Sequence, residues 1–262
     1  MCLITKIIDS HQFPAGMKIL RDTRGYTVDV KDIGKFQISN RGRLLRYDTY
    51  TTNNRLIESF IAGNITPLLF SLKGLVVLHS AVVLIGNEAV ALMAPSGYGK
   101  TSLSVSLLNR GCKLLSDDLC RIRHRGKKVT AQSNEPYLSV PNSNPLLNGL
   151  GAVVYRGPVK SWVKLKPKFY YHHEASLSLV YSLRRGKRLR IETLHDAEAL
   201  QSLVMNAYKL ASIFDMEKLH AEMQTLARLI NDGLKVKTLY VPRGWNNIEK
   251  AAKMILRDVR EN

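Results

Sequence analysis

The amino-acid sequence predicts an α/β fold in two parts, a small β-rich region over residues 1–74 and a larger α/β region over residues 75–262. Three observations predict this fold class. Short stretches of alternating apolar and polar residues occur in the first part, which is typical of antiparallel strands. The second part opens with apolar strand segments, a glycine-rich turn, a helical pattern and a further strand, the order found in a parallel α/β sheet. The last third of the chain is largely helical in its periodicity.

The first region shows its strand pattern at residues 26–30 and 36–39. Turn-forming residues at positions 40–42 separate the second of these from a further apolar pair, as in a hairpin. A helical pattern follows, and one face of it would carry Leu56, Ile57, Phe60 and Ile61. We therefore expect a small antiparallel sheet followed by a helix.

The second region begins with an apolar run that is long enough to suggest a membrane span. His79 and the turn at residues 86–88 divide this run into short segments at 75–78, 81–85 and 89–93. Strands joined by turns describe such a pattern better than one long helix. We therefore expect no association with a membrane.

The elements after the glycine-rich turn follow the same α/β order. A helix should extend to Asn109 or Arg110, with Gly111 as its stop signal, and residues 112–116 should form the next strand. Residues 119–170 contain several prolines and basic clusters, and we expect them to be rich in loops. The remaining predicted strands are at 177–183, 189–193 and 235–241. Three helices are also predicted: one with Asp196 as its N-cap, one over residues 216–231, and one that begins at Asn247.

The composition limits the partners and the compartment. Lys and Arg number 39 against 21 Asp and Glu, so the formal net charge is +18, which favours anionic partners. Cys2, Cys112 and Cys120 are an odd number without a zinc-binding spacing. This argues against a disulfide framework, and the sequence predicts a cytoplasmic protein.

The strongest motif is a Walker A sequence with alanine at its first position. Gly97 and Gly99 allow positive φ angles and close backbone approach, so that successive amides can face phosphate oxygens. Lys100 would reach the β- and γ-phosphates of ATP, and the hydroxyl of Thr101 would bind Mg²⁺. The predicted nucleotide-binding residues are Ala94, Pro95, Ser96, Gly97, Tyr98, Gly99, Lys100 and Thr101.

Two further sites carry candidate chemistry. Asp117 and Asp118 follow a predicted strand, and Asp118 lies seventeen positions after Thr101. A carboxylate at such a strand end can hold Mg²⁺ or accept a proton from an attacking hydroxyl, although either residue can also serve only to form a turn. His79 ends an apolar strand, where a histidine is commonly a core residue and less often a catalytic one.

The combination of His79, the Walker A loop, Arg110-Gly111 and Asp117-Asp118 resembles the catalytic core of the bacterial HPr serine kinase/phosphorylase family. The resemblance implies a P-loop core like the C-terminal domain of that family, with ATP and Mg²⁺ as cofactors. It implies that Asp118 is the catalytic base, that Lys100 binds phosphate, and that His79 belongs to the site. By the same resemblance, Thr101 and Asp117 are the metal ligands.

The layout of the chain is similar to one branch of that family, the kinases of lasso peptide biosynthesis, which phosphorylate a serine at the C-terminus of a precursor peptide. In both, an N-terminal β-region precedes the core and a helical part follows it. The resemblance thus implies a precursor peptide as substrate, and related kinases form homo-oligomers. Two alternatives stay open: a carrier-protein kinase/phosphorylase, and a nucleotide-binding switch that is not a kinase.

Two basic clusters lie outside these motifs, at residues 121–128 and 184–190. They can attract an acidic peptide or phosphate, but the pattern favours two solvated hairpin turns. Nucleic-acid binding is not expected, because no zinc finger, RNA-recognition motif or interleaved aromatic platform accompanies the charge.

Overall fold

A computed structural model describes residues 4–7, 17–95, 97–144, 149–157, 159–208 and 216–261. The chain divides into two compact units. The first unit contains residues 1–77 and 208–222, and the second contains residues 78–207 and 223–262. Cys2 and Ser96, which were named in the sequence analysis, lie outside the described residues.

The first unit contains an antiparallel sheet whose five strands are neighbours in chain order. They are β1 (Ile4–Ile7), β2 (Met17–Arg21), β3 (Gly25–Val30), β4 (Gly34–Ser39) and β5 (Leu44–Thr49). Helix α1 (Asn54–Phe60) continues through a π-helical turn (Ile61–Ile65) into α2 (Thr66–Leu72). The alternating pattern buries one face of the sheet, and Phe36 on that face lies 5.3 Å from Phe60 of α1, centroid to centroid. The predicted β-region and helix are confirmed.

The second unit begins at Leu78, the last residue of β6 (Val76–Leu78). It continues with β7 (Ser80–Ile85), β8 (Glu88–Met93), α3 (Lys100–Leu108), β9 (Lys113–Ser116), β10 (Cys120–Arg125), β11 (Lys128–Gln132), β12 (Tyr137–Pro141), β13 (Gly151–Arg156) and β14 (Lys160–Leu165). A 3-10 turn (Pro167–Phe169) precedes β15 (Ala175–Arg185) and β16 (Arg190–Leu194). The last elements are α4 (Asp196–Asn206), α5 (Met216–Asn231), β17 (Lys235–Val241) and α6 (Trp245–Arg260).

The main sheet of the second unit has the strand order β10-β11-β15-β8-β7-β9. The long strand β15 is parallel to β8 and also to β17, whose other neighbour is the antiparallel strand β16. Strand β7 is antiparallel to both β8 and β9. The prediction of an α/β fold is confirmed, but the prediction of a parallel sheet is wrong in part. Strands β8 and β9 precede and follow α3. Strand β7 forms a short hairpin with β8 and lies antiparallel between these two strands.

The core of this unit lies between the sheet and its covering helices, and α3 and α6 contribute most of the helical side. Helix α6 buries one apolar stripe consisting of Ile248, Ala251, Ala252 and Ile255. Arg110, just after α3, bonds the carboxylate of Glu249 on α6, and Ser106 donates to the same carboxylate at 2.9 Å. These contacts fix the helix that begins at the glycine-rich loop.

Several predictions for this unit are corrected. Residues 119–170 are not mainly loops, because they form β10 to β14, and β12, β14 and β13 make a separate three-stranded sheet. The cap of α4 is His195, since Asp196 is already the first helical residue. The apolar run before the glycine-rich loop forms three strands, as predicted. Within the described ranges, no helix has both the length and the apolar character needed to cross a membrane.

Candidate functional site

Strand register brings the predicted site residues to one edge of the main sheet. Strands β8 and β9 are both antiparallel to β7, so they run in the same direction and end at the same edge. Ser80 at the start of β7 lies opposite Met93 at the end of β8, and Val82 lies opposite Ser116 at the end of β9. The residue before β7 and the residues after β8 and β9 therefore meet at this edge.

The glycine-rich loop connects β8 to α3 with two left-handed residues, Gly97 at φ 81° and Gly99 at φ 98°. A side chain at Gly99 would be doubly disfavoured, because its Cβ would lie 2.9 Å from Cδ1 of Ile248. Ala94 is buried, and the carbonyl of Pro95 accepts from the amide of Tyr98 at 3.3 Å. Ser96, a predicted member of the loop, lies outside the described residues.

Helix α3 begins at Lys100, directly after the loop. Its cap residue is Gly99, and among the described residues no side chain caps the first amides. Uncapped amides at a helix N-terminus carry partial positive charge and suit an anion such as phosphate. Thr101 is the second residue of the helix, so its hydroxyl group belongs to the same turn.

Lys100, Asp118 and His79 form one cluster at this edge. The Nζ atom of Lys100, a residue that is 8% exposed, lies 2.7 Å from Oδ1 of Asp118. The Nε2 atom of His79 lies 3.6 Å from the same oxygen. The backbone amide of His79 donates to the carbonyl of Asn206 at 2.8 Å, which fixes its position before β7. The three predicted catalytic residues are thus in direct contact through one carboxylate oxygen.

The two aspartates lie in a tight turn after β9, which ends at Ser116. Asp118 has a φ of 63°, and the amide of Leu119 donates to the carbonyl of Asp117 at 2.8 Å. Ser116 closes the turn by donating its hydroxyl to the carbonyl of Leu119. A non-glycine residue in the left-handed region costs about 1–2 kcal/mol. This turn directs the two carboxylates to different partners.

The carboxylate of Asp118 is held in its ionised form. Partial burial acts to raise its pKa, but the nearby His79 and the charge of Lys100 outweigh that effect and lower the pKa well below its ordinary value. The side chain is still 47% exposed. An ionised, accessible carboxylate at this position can accept a hydrogen bond from a hydroxyl group.

Asp117 is in a different environment. Its Oδ2 atom accepts from the backbone amide of Ser139 at 3.0 Å. Its Oδ1 atom is buried, and among the described residues it has no hydrogen-bond partner. Burial and the neighbouring charge of Asp118 raise the pKa of Asp117 to about 7, although Lys100 opposes the shift. A buried carboxylate oxygen without a partner is a natural ligand for a cation.

The residues present fit a Mg²⁺ ion bound together with a nucleotide. Mg²⁺ usually takes one or two protein carboxylates and completes its shell with phosphate oxygens and water. The unpartnered oxygen of Asp117 and the hydroxyl of Thr101 supply donors of this kind. Within the described ranges, no group of three or more His, Cys, Asp or Glu side chains forms a separate metal site.

One residue of this edge was not singled out by the sequence analysis. Arg185 ends β15, which is parallel to β8, and its Nη2 atom donates to the carbonyl of Gly97 at 2.6 Å. Its guanidinium carbon lies 5.2 Å from the centroid of the Tyr98 ring. A solvated hairpin turn was predicted here: Arg185 is exposed, as predicted, but β16 pairs with β17 and not with β15, so the connection is not a hairpin. A basic pair at the end of a predicted parallel strand was the available signal.

Comparisons with known proteins found similarity to solved structures alone. No protein-family model matches the chain, and no curated protein matches its sequence. Among solved structures, the Hpr(Ser) kinase/phosphatase from Coxiella burnetii is similar over 70% of this chain and 95% of its own, with 14% identity and a TM-score of 0.40. This similarity is a partial superposition of backbones, and it assigns neither an activity nor a substrate to the present chain.

Proposed function

We propose that this protein is an ATP-dependent kinase that transfers the γ-phosphoryl group to a serine hydroxyl of a peptide. One observation carries the proposal: Lys100, Asp118 and His79 meet at the sheet edge where the glycine-rich loop leads into an uncapped helix N-terminus. A phosphate-binding loop beside an ionised carboxylate is the minimum that a phosphoryl transfer to an alcohol requires.

The nucleotide would bind along the loop and the first turn of α3. The amides there and the ammonium group of Lys100 would hold the β- and γ-phosphates. In the structure Lys100 contacts an anionic oxygen, that of Asp118. Preorganised donors of this kind stabilise the charge on the transferring group, and positioning with electrostatics supplies most of the catalysis in such reactions.

Asp118 would orient the serine hydroxyl and take its proton. The serine Oγ atom forms a bond to the γ-phosphorus while the bond to the β-phosphate oxygen breaks, so that ADP leaves and the proton passes to the carboxylate. The low pKa of Asp118 makes it a weak base, but a loose transition state removes little charge from the attacking oxygen before transfer. His79 would keep the carboxylate in place.

Thr101 and Asp117 would hold the Mg²⁺ ion. When bound, the ion neutralises charge on the β- and γ-phosphates. The backbone amide of Ser139, on β12, holds one oxygen of Asp117 and leaves the other for a cation. Asp117 thereby has a role separate from that of Asp118.

The substrate we propose is a ribosomal precursor peptide, with its C-terminal serine as the acceptor. The motif spacing and the layout that resemble lasso peptide kinases support this substrate. The alternatives, a carrier-protein kinase/phosphorylase and a nucleotide switch, share the same loop and differ in what accepts the phosphoryl group.

The proposal is tested with radiolabelled [γ-³²P]ATP, Mg²⁺ and two synthetic peptides that differ only in a C-terminal serine or alanine. We expect label in the serine peptide alone. Two results together would favour the carrier-protein alternative. A folded carrier protein would become labelled, and it would lose the labelled phosphoryl group when inorganic phosphate is added in excess. ATP binding without transfer to either substrate would favour the switch.

A further inference from the structure

The segment 184–190, which contains the end of β15, the turn after it and the first residue of β16, carries a high local charge beside the candidate site. We call it the basic turn: it contains five Arg or Lys residues and no Asp or Glu. Ser182 of β15 lies opposite Met93 of β8, so the turn begins at the same sheet edge as the glycine-rich loop. Arg185 contacts that loop directly, through the carbonyl of Gly97.

The basic turn is anchored on β17. A Cβ atom on Gly186 would lie 2.8 Å from Cβ of Tyr240, so the turn backbone packs directly against that residue. The guanidinium carbon of Arg190 lies 3.9 Å from the centroid of the Tyr240 ring, and its Nε atom donates to Glu192 at 2.6 Å. The basic turn is therefore a fixed part of the unit.

Two of the five basic side chains are engaged by these contacts, Arg185 and Arg190. The other three, Arg184, Lys187 and Arg188, are exposed. In the part of the chain that the structure describes, no acidic side chain forms an ion pair with them. Since consecutive Cα atoms are about 3.8 Å apart, the Cα of Arg188 lies within about 11 Å of that of Arg185.

We propose that Arg184, Lys187 and Arg188 bind acidic residues that flank the accepting serine of the peptide substrate. This inference rests on the proposed function and names a substrate class for it. An extended peptide advances about 3.3–3.6 Å per residue, so acidic residues within about four positions of the serine would reach the basic turn. Charge complementarity in this position raises the rate of encounter and selects between peptides.

An acidic peptide suits this surface better than a nucleic acid. Proteins that bind single strands stack bases on exposed aromatic rings. Two aromatic rings contact this segment, those of Tyr98 and Tyr240, and an arginine already lies over each of them, Arg185 and Arg190 respectively. The free groups are exposed cations, which match carboxylates.

The chain offers a matched control for a charge-reversal experiment. Lys127 and Lys128 form an equally exposed basic pair in the β10–β11 hairpin. They line a cavity of about 420 Å³ together with Ser176 and Ser178 near the start of β15, whereas the basic turn follows its end. The double variants Lys187→Glu/Arg188→Glu and Lys127→Glu/Lys128→Glu therefore change the net charge equally at opposite ends of one strand.

The first readout is steady-state phosphorylation of two peptides with one serine each, flanked within four positions by Asp and Glu or by Asn and Gln. We expect the intact protein to prefer the acidic peptide through a lower KM. Lys187→Glu/Arg188→Glu should reduce that preference about tenfold or more, while the control variant leaves it within about twofold. ATP affinity should be the same in all three proteins.

The second readout is fluorescence anisotropy of the same labelled peptides without nucleotide. It needs no chemistry, so acidic-peptide binding that is lost only in Lys187→Glu/Arg188→Glu would support this inference even if no peptide is phosphorylated. Equal losses in both double variants, or equal binding of the two peptides, would overturn it. So would a loss of ATP affinity with the peptide preference intact, or tighter binding of single-stranded poly(U) than of the acidic peptide.

Discussion

Replacing Lys100 by methionine separates binding from folding, because the side chain keeps its length and loses its charge. In the structure its Nζ atom lies 2.7 Å from Oδ1 of Asp118. With nucleotide bound, the same ammonium group would contact phosphate oxygens. A hydrogen bond to a charged group is worth about 1.5–3 kcal/mol, so Lys100→Met should weaken Mg²⁺-ATP binding roughly 10- to 150-fold.

The cost to folding should be smaller. The carboxylate of Asp118 is 47% exposed and keeps His79 as a partner, so water can solvate it after the lysine is removed. Lys100 itself is buried, but the group left behind is the accessible carboxylate, so we expect a cost of about 1 kcal/mol, which corresponds to a fall in Tm of at most about 4 °C for a chain of this size. The pKa of Asp118 should rise toward its ordinary value, because one of the groups that lower it is gone.

Isothermal titration calorimetry with Mg²⁺-ATP measures the first effect, and thermal unfolding followed by circular dichroism measures the second. Lys113→Met is the control, since Lys113 is exposed at the start of β9, away from the site edge. Folded Lys100→Met that binds ATP within twofold of the intact protein would refute the assignment of the loop. A loss of several kcal/mol in unfolding free energy would show that Lys100 is a structural residue.

Two further predictions concern the metal and the helix that carries Lys100. Asp117→Asn should weaken ATP binding in the presence of Mg²⁺ and have little effect on it in EDTA. Calorimetry in both buffers measures this, and an equal loss of ATP affinity in the two buffers would reject the role of Asp117 as a metal ligand. Glu249→Gln should lower the unfolding free energy by roughly 0.5–1 kcal/mol at pH 7. Burial raises the pKa of Glu249, but Arg110 and Ser106 outweigh it and lower the pKa. The stabilisation is therefore present above the ordinary glutamate pKa of about 4.3 and is lost as the pH falls below it. Urea denaturation of the intact protein and of Glu249→Gln gives the difference in unfolding free energy. The same difference at pH 7 and at pH 3 would contradict this prediction.

The sequence predicted the elements around the motifs well, because their signals are local. Strand β8, the loop and α3 follow from an apolar run, two glycines and a buried helical face, and β17 was placed at its observed residues, Lys235–Val241. The grouping of His79 with Asp118 was implied by family resemblance. Its physical basis is the strand register on β7, which no local pattern encodes.

The strands between residues 119 and 170 were missed for a physical reason. Strand β13 is exposed along nearly its whole length, so it lacks the apolar alternation that marks a half-buried strand. Strand β12 ends in Pro141, and proline is usually a sign of a loop or an edge. The contact from Ser139 of β12 to Asp117 spans 22 residues, and it could not be predicted because β12 itself was not predicted.

Arg185 was missed because a run of charge at a strand end does not reveal its partner. Its contact with Gly97 depends on the parallel pairing of β15 with β8, two strands that are about ninety residues apart in the chain. Sequence pattern indicates that a segment is a strand far more readily than it indicates its neighbour.

The measurement that tests the central claim most directly is single-turnover phosphoryl transfer by Asp118→Asn, combined with its ATP affinity. The variant keeps the size of the side chain and removes the group that accepts the proton, so transfer to serine should fall about 10²- to 10⁴-fold. ATP affinity should be retained, since Lys100 and the loop amides are unchanged. Asp232→Asn is the control, because Asp232 also pairs with a histidine, His124, outside the site, and it should transfer at the normal rate. Transfer by folded Asp118→Asn at the rate of the intact protein would contradict the account.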